Sequence, residues 1–179
     1  MITVTPGPAP VRHGRLAPAP LLRPAREADA AALAGLAWPF VRSGALRERP
    51  VSLYALHAAD FLVAQAPGGA LAGCVGLRTY PAAGAATAGA ADGAGSAGVL
   101  YNFCVAGHSQ GRGVGSGLLR TALALARAQA LTGLFTATTG DGALFLRHGF
   151  TPAHAGSAPQ SWAESLDPRR NARVLALTL

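Results

Sequence analysis

The stretch VLYNFCVAGHSQGRGVGSGLL, residues 99–119, decides the fold of this chain. Its first part, Val99 to Ala106, is apolar and predicts a buried strand, and its last part opens an amphipathic helix predicted from about Val114 to Ala130. Four alternating glycines lie between them, Gly111, Gly113, Gly115 and Gly117. Glycines let a backbone approach a ligand closely, and the N–H groups that begin a helix carry the positive end of its dipole. We therefore predict a pyrophosphate-binding segment.

Two common nucleotide-binding patterns are excluded by the residues of this segment. A P-loop needs a lysine after its last glycine, and the chain contains no lysine. A dinucleotide fingerprint needs a third glycine where this chain has Ser116 or Leu118, and an acidic residue about 20 positions later that is also missing. A tight strand-to-helix turn that binds no ligand stays as the alternative.

Working outward, hydrophobic patterns predict the remaining elements. On the N-terminal side they predict a strand at 21–23, a helix from 27 that ends at Pro39, a helix at 52–57, and a hairpin of strands 61–65 and 71–80. On the C-terminal side, Gly133 is predicted to end the long helix, followed by a strand at 134–138, a helix at 142–148, a further strand after Phe150 and a last strand at 174–178. This order predicts an α/β (α+β) fold with one mixed sheet and helices on both faces.

The composition favours one domain with a small anionic ligand. The 179 residues are 50% hydrophobic, and the net charge of +7 comes from arginines alone. Because these arginines are scattered, we predict no nucleic-acid partner, although nucleic acid stays an alternative. Residues 1–19 are predicted to be a disordered Pro/Ala-rich tail, 20–179 the domain, and 81–98 a flexible Ala/Gly loop within it.

We also predict no membrane segment, no metal site and a cytoplasmic location, and a homodimer is compatible with the sequence. Cys74 and Cys104 lie in apolar segments and are predicted to be free, buried thiols. Cys104 is read as a small core residue rather than a nucleophile, because its neighbours are apolar and no histidine is near it in sequence.

The segment Gln110-Gly111-Arg112-Gly113-Val114-Gly115 resembles the pyrophosphate-binding signature of the GCN5-related N-acetyltransferase (GNAT) superfamily: Gln or Arg, two residues, Gly, one residue, Gly or Ala. The resemblance implies a GNAT-like sheet that holds acetyl-CoA or CoA in a splayed V between two central parallel strands. It implies that the backbone N–H groups of Cys104 and Val105 polarise the thioester. The implied cofactor-binding residues are Phe103, Cys104, Val105, Gln110, Gly111, Arg112, Gly113, Val114, Gly115, Ser116 and Phe145.

Several short motifs, in order, are similar to the acetyltransferase domain of N-acetylglutamate synthases. They are Arg23-Pro24-Ala25, Asp60-Phe61-Leu62-Val63-Ala64, Gly73-Cys74, Leu134-Phe135 with Thr138-Thr139, and Arg169-Arg170-Asn171. This resemblance implies acetylation of a small amino acid, L-glutamate foremost, in arginine biosynthesis. It also implies that Arg49, Arg78 and Arg170 bind the substrate carboxylates, a task that suits the planar guanidinium fork. Arg78 lies in an apolar strand, where a charge needs a partner.

The chain departs from the family pattern at three positions. Val99 and Ala172 replace a glutamate and a serine of the family pattern. Phe145 stands where many members have a tyrosine that acts as a general acid toward the CoA thiolate. Neither His108 nor His154 is assigned as the general base, which stays unidentified. Two alternatives are therefore kept: a GNAT enzyme for another amine, such as a peptide N-terminus or a small-molecule amine, and an inactive CoA-binding regulatory protein. The glutamate hypothesis requires the three arginines to converge on one site.

Overall fold

The computed structural model describes residues 19–81 and 95–179, and in that part of the chain seven strands form one mixed sheet in the order β1-β2-β3-β4-β5-β7-β6. The strands are β1 (Leu21–Pro24), β2 (Phe61–Gln65), β3 (Leu71–Tyr80), β4 (Ala97–Val105), β5 (Gly133–Thr138), β6 (Thr151–Pro152) and β7 (Arg173–Thr178). The helices are α1 (Ala30–Arg42), α2 (Val51–Leu56), α3 (Val114–Ala128), α4 (Ala143–Arg147) and α5 (Gln160–Glu164). Only β4 and β5 pair in parallel within this order.

Helices cover both faces of the sheet, which confirms the predicted architecture. On one face α3 buries Leu118 and Ala122 against alternate residues of the central strands. On the other face α1 buries Leu33 and Ala37 in a second cluster that includes Cys74. The alternation of side chains along each strand supplies both cores, because successive residues point to opposite faces.

Several of the predicted element boundaries differ from the observed ones. Helix α1 continues past Pro39 to Arg42: the exposed proline removes one hydrogen bond, to the Gly35 carbonyl, and the packing of Leu33 and Ala37 holds the helix together. Helix α3 ends at Ala128 rather than at Gly133, which instead begins β5. Ala130 has φ +52°, and this left-handed residue reverses the chain after the helix.

Strand β4 begins at Ala97, two residues before the predicted start, because Ala97 and Gly98 pair with both neighbouring strands. The strand predicted after Phe150 has only two residues. Apart from their ends, the predicted tail 1–19 and the predicted loop 81–98 lie outside the described residues. Among the helices that the structure describes, none has the length and apolarity to cross a membrane.

Candidate active site

The parallel strands β4 and β5 separate after four residue pairs. Their register runs from Ala97 opposite Gly133 to Leu100 opposite Thr136, and the buried Thr136 hydroxyl donates to the Leu100 carbonyl at 3.1 Å. Strand β4 then continues as far as Val105 without pairing to β5. A wedge-shaped gap therefore opens between the two central strands, with one edge of the β4 backbone exposed to it.

A β-bulge redirects β4 at the apex of this gap. The register with β3 passes from Cys74 opposite Cys104 to Gly76 opposite Tyr101, so β4 carries one extra residue. Asn102 lies in this bulge with φ +50°, a conformation that asparagine tolerates better than most residues. Its side-chain Nδ2 donates to the Tyr54 hydroxyl at 3.3 Å, deep in the core. The bulge places Tyr101 and Cys104 on the same face of the sheet.

Beyond the bulge, the hydrogen-bond pattern decides which backbone groups face the gap. The Ala106 N–H donates to the Ala72 carbonyl at 2.9 Å, and alternate N–H groups of an antiparallel strand point to opposite sides. The N–H of Cys104 therefore faces β3, and that of Val105 faces the gap. The Val105 carbonyl is held by Gln110, whose Nε2 donates to it at 3.0 Å.

The glycine segment forms an open turn at the start of α3. Gly111 and Gly113 have φ +71° and +81°, and no atom lies within 4 Å of a Cβ built at either position. Gly113 is the N-cap of α3, and no side chain caps it. The first N–H groups of the helix are thus left for an external acceptor, and the backbone conformation requires glycine. These residues fit a pyrophosphate group.

Aromatic residues line the side of the gap next to this turn. The Phe145 ring packs edge-on against Phe103 and Phe150, with centroid separations of 5.5 Å in both pairs. Phe103 also lies 3.7 Å from the Cβ position of Gly115, so the aromatic side chains abut the start of α3. Phe145 is buried and offers an apolar surface without a hydroxyl.

A cavity of about 740 Å³ lies against β3, β4 and β5. The segment between α1 and α2, the ends of β3 and β5, the bulged part of β4 and the C-terminal segment all contribute to its lining. Its cationic lining residues are Arg47, Arg49, Arg78 and Arg170. Among the described residues that line it, Asp167 is the one carboxylate, and Asp167 is already hydrogen-bonded to Arg169. The cavity is therefore suited to an anion.

Asp60, Arg78, Tyr101 and Arg49 form one connected group, which we call the arginine wall. Arg78 donates from Nε and Nη2 to Oδ2 of Asp60 at 3.0 and 2.9 Å, and the Tyr101 hydroxyl donates to the same oxygen at 2.9 Å. The guanidinium carbons of Arg49 and Arg78 each lie 5.2 Å from the centroid of the Tyr101 ring. Nε of Arg49 is buried and, within the described residues, has no hydrogen-bond partner.

Electrostatics fix the protonation states of Tyr101 and Arg78. Burial, followed by the negative charge of Asp60 and the hydrogen bond to it, raises the pKa of Tyr101 well above its ordinary value. Burial lowers the pKa of Arg78, but the hydrogen bond to Asp60 and nearby negative charge outweigh it, so the net shift is upward. Tyr101 therefore acts as a neutral hydrogen-bond donor and Arg78 as a permanent cation.

Two further arginines join segments at the edge of the cavity. Nη2 of Arg170 donates to the carbonyls of Gly44 and Ala45, at 2.8 Å each. Nη2 of Arg47 donates to the Ser165 carbonyl, also at 2.8 Å. These contacts tie the α1–α2 connection to the C-terminal segment, so part of the donor capacity of both arginines is already used.

Known proteins that resemble this chain identify its family. The sequence family described as the acetyltransferase (GNAT) domain matches residues 57–152, more than half of the chain. The chain belongs to the GNAT acetyltransferase family. No curated protein matches it significantly. Members of this family use acetyl-CoA, and this confirms the cofactor implied by the resemblance of the glycine segment to the family signature.

Solved GNAT structures share the fold over most of the chain. The N-acetylglutamate synthase of Neisseria gonorrhoeae, solved with coenzyme A and N-acetyl-glutamate, is 26% identical with a TM-score of 0.74; the alignment covers 89% of this chain and 35% of the synthase. This chain thus spans about a third of the synthase's length. Rv2747 of Mycobacterium tuberculosis, solved with CoA, is 21% identical with a TM-score of 0.69, covering 89% and 99% of the two chains.

The ribosomal-protein-alanine N-acetyltransferase of Brucella melitensis is also 21% identical, with a TM-score of 0.64 and coverage of 89% of this chain and 99% of that one. At this identity the likeness shows the fold alone. GNAT structures of different substrate class therefore superpose on this chain, and the backbone does not identify the acetyl acceptor.

The three arginines predicted to bind substrate, Arg49, Arg78 and Arg170, line the same cavity. The residues predicted to bind the cofactor are grouped around the gap and the start of α3, as described above. His108 and His154 do not line the cavity, and Nδ1 of His154 accepts from the Gly156 N–H. Among the described residues, no group of three or more His, Cys, Asp or Glu side chains is arranged to hold a metal ion.

Both cysteines are free and buried, as predicted, with their Sγ atoms 3.4 Å apart across β3 and β4. The hydrogen bond to Cys104 and burial raise the pKa of the Cys74 thiol. The Cys74 thiol is therefore poorly suited to nucleophilic chemistry.

Sequence reasoning assigned no role to Asp60, Tyr101 or Arg47. A signal for Asp60 was present in the sequence, because Arg78 in an apolar strand needs a counter-ion. Asp60 lies directly before β2, the strand that pairs with the strand of Arg78. Tyr101 gave no such signal, since an aromatic residue in an apolar strand is usually core. Its position in the wall depends on the bulge at Asn102.

Proposed function

We propose that this GNAT protein transfers the acetyl group of acetyl-CoA to the amine of a small acidic amino acid, L-glutamate foremost. The observation that carries this proposal is the arginine-lined cavity beside the gap between β4 and β5. Its one lining carboxylate within the described residues, Asp167, is already bonded to Arg169. Asp60, which does not line the cavity, is paired with Arg78, so the lining keeps an excess of positive charge. Carboxylates of the acceptor would balance that charge.

The arginines differ in how many donors they have left. Arg78 uses Nε and Nη2 on Asp60 and also donates from Nη2 to the Tyr101 hydroxyl at 3.4 Å, and Arg170 uses Nη2 on two backbone carbonyls. Arg49 makes neither an ion pair nor a hydrogen bond from Nε within the described residues. We therefore assign Arg49 as the principal carboxylate ligand, with the remaining N–H groups of Arg78 and Arg170 in support.

On the cofactor side, the backbone N–H groups of 111–116 would hold the pyrophosphate, with Gln110 bracing the neighbouring Val105 carbonyl. Acetyl-CoA supplies the activated acetyl thioester when it is bound. The N–H of Val105 faces the gap and is the donor that we assign to the thioester carbonyl, in preference to the N–H of Cys104. Phe103 and Phe145 supply an apolar wall that excludes water from this end of the gap.

The test is release of CoA from acetyl-CoA with a panel of acceptors. L-glutamate is expected to give the highest kcat/KM, with L-aspartate and L-glutamine lower, because each changes the spacing or charge of the second carboxylate. Glutarate, which has both carboxylates and no amine, is expected to inhibit competitively against glutamate. Failure of every acidic amino acid to stimulate CoA release would overturn the proposal.

A second acceptor class is favoured by the size of the cavity. A volume of about 740 Å³ falls in the range of pockets that hold drug-sized ligands and exceeds what one amino acid fills. Peptides that begin with an acidic residue would place a carboxylate at the arginine wall and leave the rest beside α5. Faster acetylation of Glu-initiated dipeptides than of free glutamate would select this class, and binding of acetyl-CoA without turnover of any amine would indicate an inactive regulatory protein.

A further inference from the structure

Asp60 supports the cavity without lining it. It ends a short 3-10 turn, 58–60, directly before β2, and its side chain is 26% exposed. Its Oδ2 atom accepts three hydrogen bonds, two from Arg78 and one from the Tyr101 hydroxyl. One carboxylate oxygen therefore fixes two side chains that do line the cavity.

The Tyr101 ring extends this constraint to Arg49. Because the hydroxyl is held by Asp60, the ring has a fixed position, and both guanidinium groups lie over it at 5.2 Å. A cation over an aromatic face is attracted by the ring quadrupole, most strongly where water is excluded. Nε of Arg49 has no hydrogen-bond partner in the described residues, so the Tyr101 ring is an orienting contact that the structure shows for this guanidinium.

Asp60 also balances the charge of the wall. Arg49 and Arg78 are two cations against one ring, and like charges at short range in a partly buried site repel each other. The Asp60 carboxylate bonded to Arg78 offsets this repulsion and keeps Arg78 beside the cavity. Without it, both arginines would gain by turning towards solvent.

We propose that Asp60 is a positioning residue for acceptor recognition, which sets the placement of Arg78 directly and of Arg49 through the Tyr101 ring. The proposal rests on the proposed function in one respect, since it takes the arginine-lined cavity as the acceptor site. It assigns Tyr101 the role of spacer between two carboxylate-binding guanidiniums. Neither residue takes part in the acetyl transfer itself.

The kinetic test is Asp60→Asn, which keeps the size of the side chain and removes its charge. We expect KM for the acceptor amino acid to rise about tenfold, while kcat and KM for acetyl-CoA stay nearly unchanged. The reason is that the variant misplaces the two guanidinium groups and leaves the cofactor gap intact. Asp60→Glu restores the charge and should recover part of the loss. The matched control is Asp29→Asn, which breaks the Arg23–Asp29 ion pair away from the cavity and should leave both KM values unchanged.

A substrate-independent readout separates this inference from the proposed function. The Nε–H resonances of Arg49 and Arg78, observed by NMR with ¹⁵N-labelled arginine, should carry ring-current shifts from Tyr101, which Tyr101→Leu identifies by abolishing them. In Asp60→Asn both shifts should collapse. If glutamate is not acetylated but both shifts collapse, the proposed function fails and the positioning role stands. An Arg49 shift that persists in Asp60→Asn, or a variant that lowers kcat or raises KM for acetyl-CoA as much as KM for the acceptor, would overturn the inference.

Discussion

The glycine segment, proposed to bind the cofactor, and the arginine wall, proposed to bind the acetyl acceptor, are built in opposite ways. The glycine segment is contiguous, and its ligands are backbone N–H groups held by left-handed φ values at Gly111 and Gly113. The arginine wall is assembled from distant segments, and its binding groups are side chains oriented by Asp60 and the Tyr101 ring. The cofactor end should therefore be sensitive to backbone conformation, and the acceptor end to single side-chain atoms.

The largest effect is expected at Val105, where β4 passes between the two regions. Replacing the Val105 amide by a backbone ester removes the gap-facing N–H without altering any side chain. We expect kcat to fall about 100-fold, as for loss of one oxyanion donor, with small changes in both KM values. Steady-state kinetics of the semisynthetic protein checks this. The same ester at Cys104, whose N–H faces β3, should lower the free energy of unfolding and change kcat less than the Val105 ester does. An equal loss of kcat at Cys104 would show that its N–H also donates to the thioester carbonyl.

The next largest effect separates the two regions by substrate. Arg49→Ala removes the guanidinium that has no ion pair in the described part of the chain, and kcat/KM for the acceptor should fall about 30-fold. KM for acetyl-CoA should not change, because the glycine segment is untouched. Arg120→Ala, on the exposed side of α3, is the control for loss of one positive charge. An equal loss in the control would attribute the effect to net charge rather than to the wall.

This difference also explains what could be predicted from the sequence. The glycine segment could be predicted because strand, glycines and helix follow one another and each has a local pattern. The hairpin of β2 and β3 was predicted at its observed bounds for the same reason, since its turn contains Pro67-Gly68-Gly69. Arg49, Arg78 and Arg170 were proposed from resemblance, and the structure brings these three arginines to one cavity.

What could not be predicted depends on long-range contacts. The bulge at Asn102 is hidden in an apolar run, because one extra residue leaves hydrophobicity unchanged while it reverses which side chains face the cavity. Without the bulge, the position of Tyr101 relative to Cys104 cannot be derived. The predicted end of helix α1 at Pro39 is wrong for a related reason. Helix α1 is held by packing of Leu33 and Ala37 rather than by local propensity.

A smaller effect is expected from Gly113→Ala, which tests the rule that the cofactor end is sensitive to backbone conformation. Alanine at φ +81° is strained by about 1–2 kcal/mol, so KM for acetyl-CoA should rise about tenfold while KM for the acceptor stays constant. Gly107→Ala is the matched control, because that position has open space and no positive φ. The rule would be contradicted if both alanines had the same effect, or if Gly113→Ala changed acceptor KM instead.

The smallest effect contrasts two Asp–Arg pairs and concerns stability alone. Hydrogen bonding to Arg23 lowers the pKa of Asp29 to about 2, whereas the Asp60–Arg78 pair serves the wall. A depressed carboxyl pKa stabilises the fold above its unfolded pKa of about 4, and this contribution is lost as pH falls towards 2.

Asp29→Asn should therefore lower the free energy of unfolding by about 1 kcal/mol at pH 7, and the difference from wild type should shrink between pH 4 and pH 2. Urea unfolding at a series of pH values measures it, and the acetylation kinetics of the same variant should match wild type. A pH-independent difference would assign the loss to packing. A change in acceptor KM would show that Arg23–Asp29 reaches the wall and that the two regions are not energetically separate.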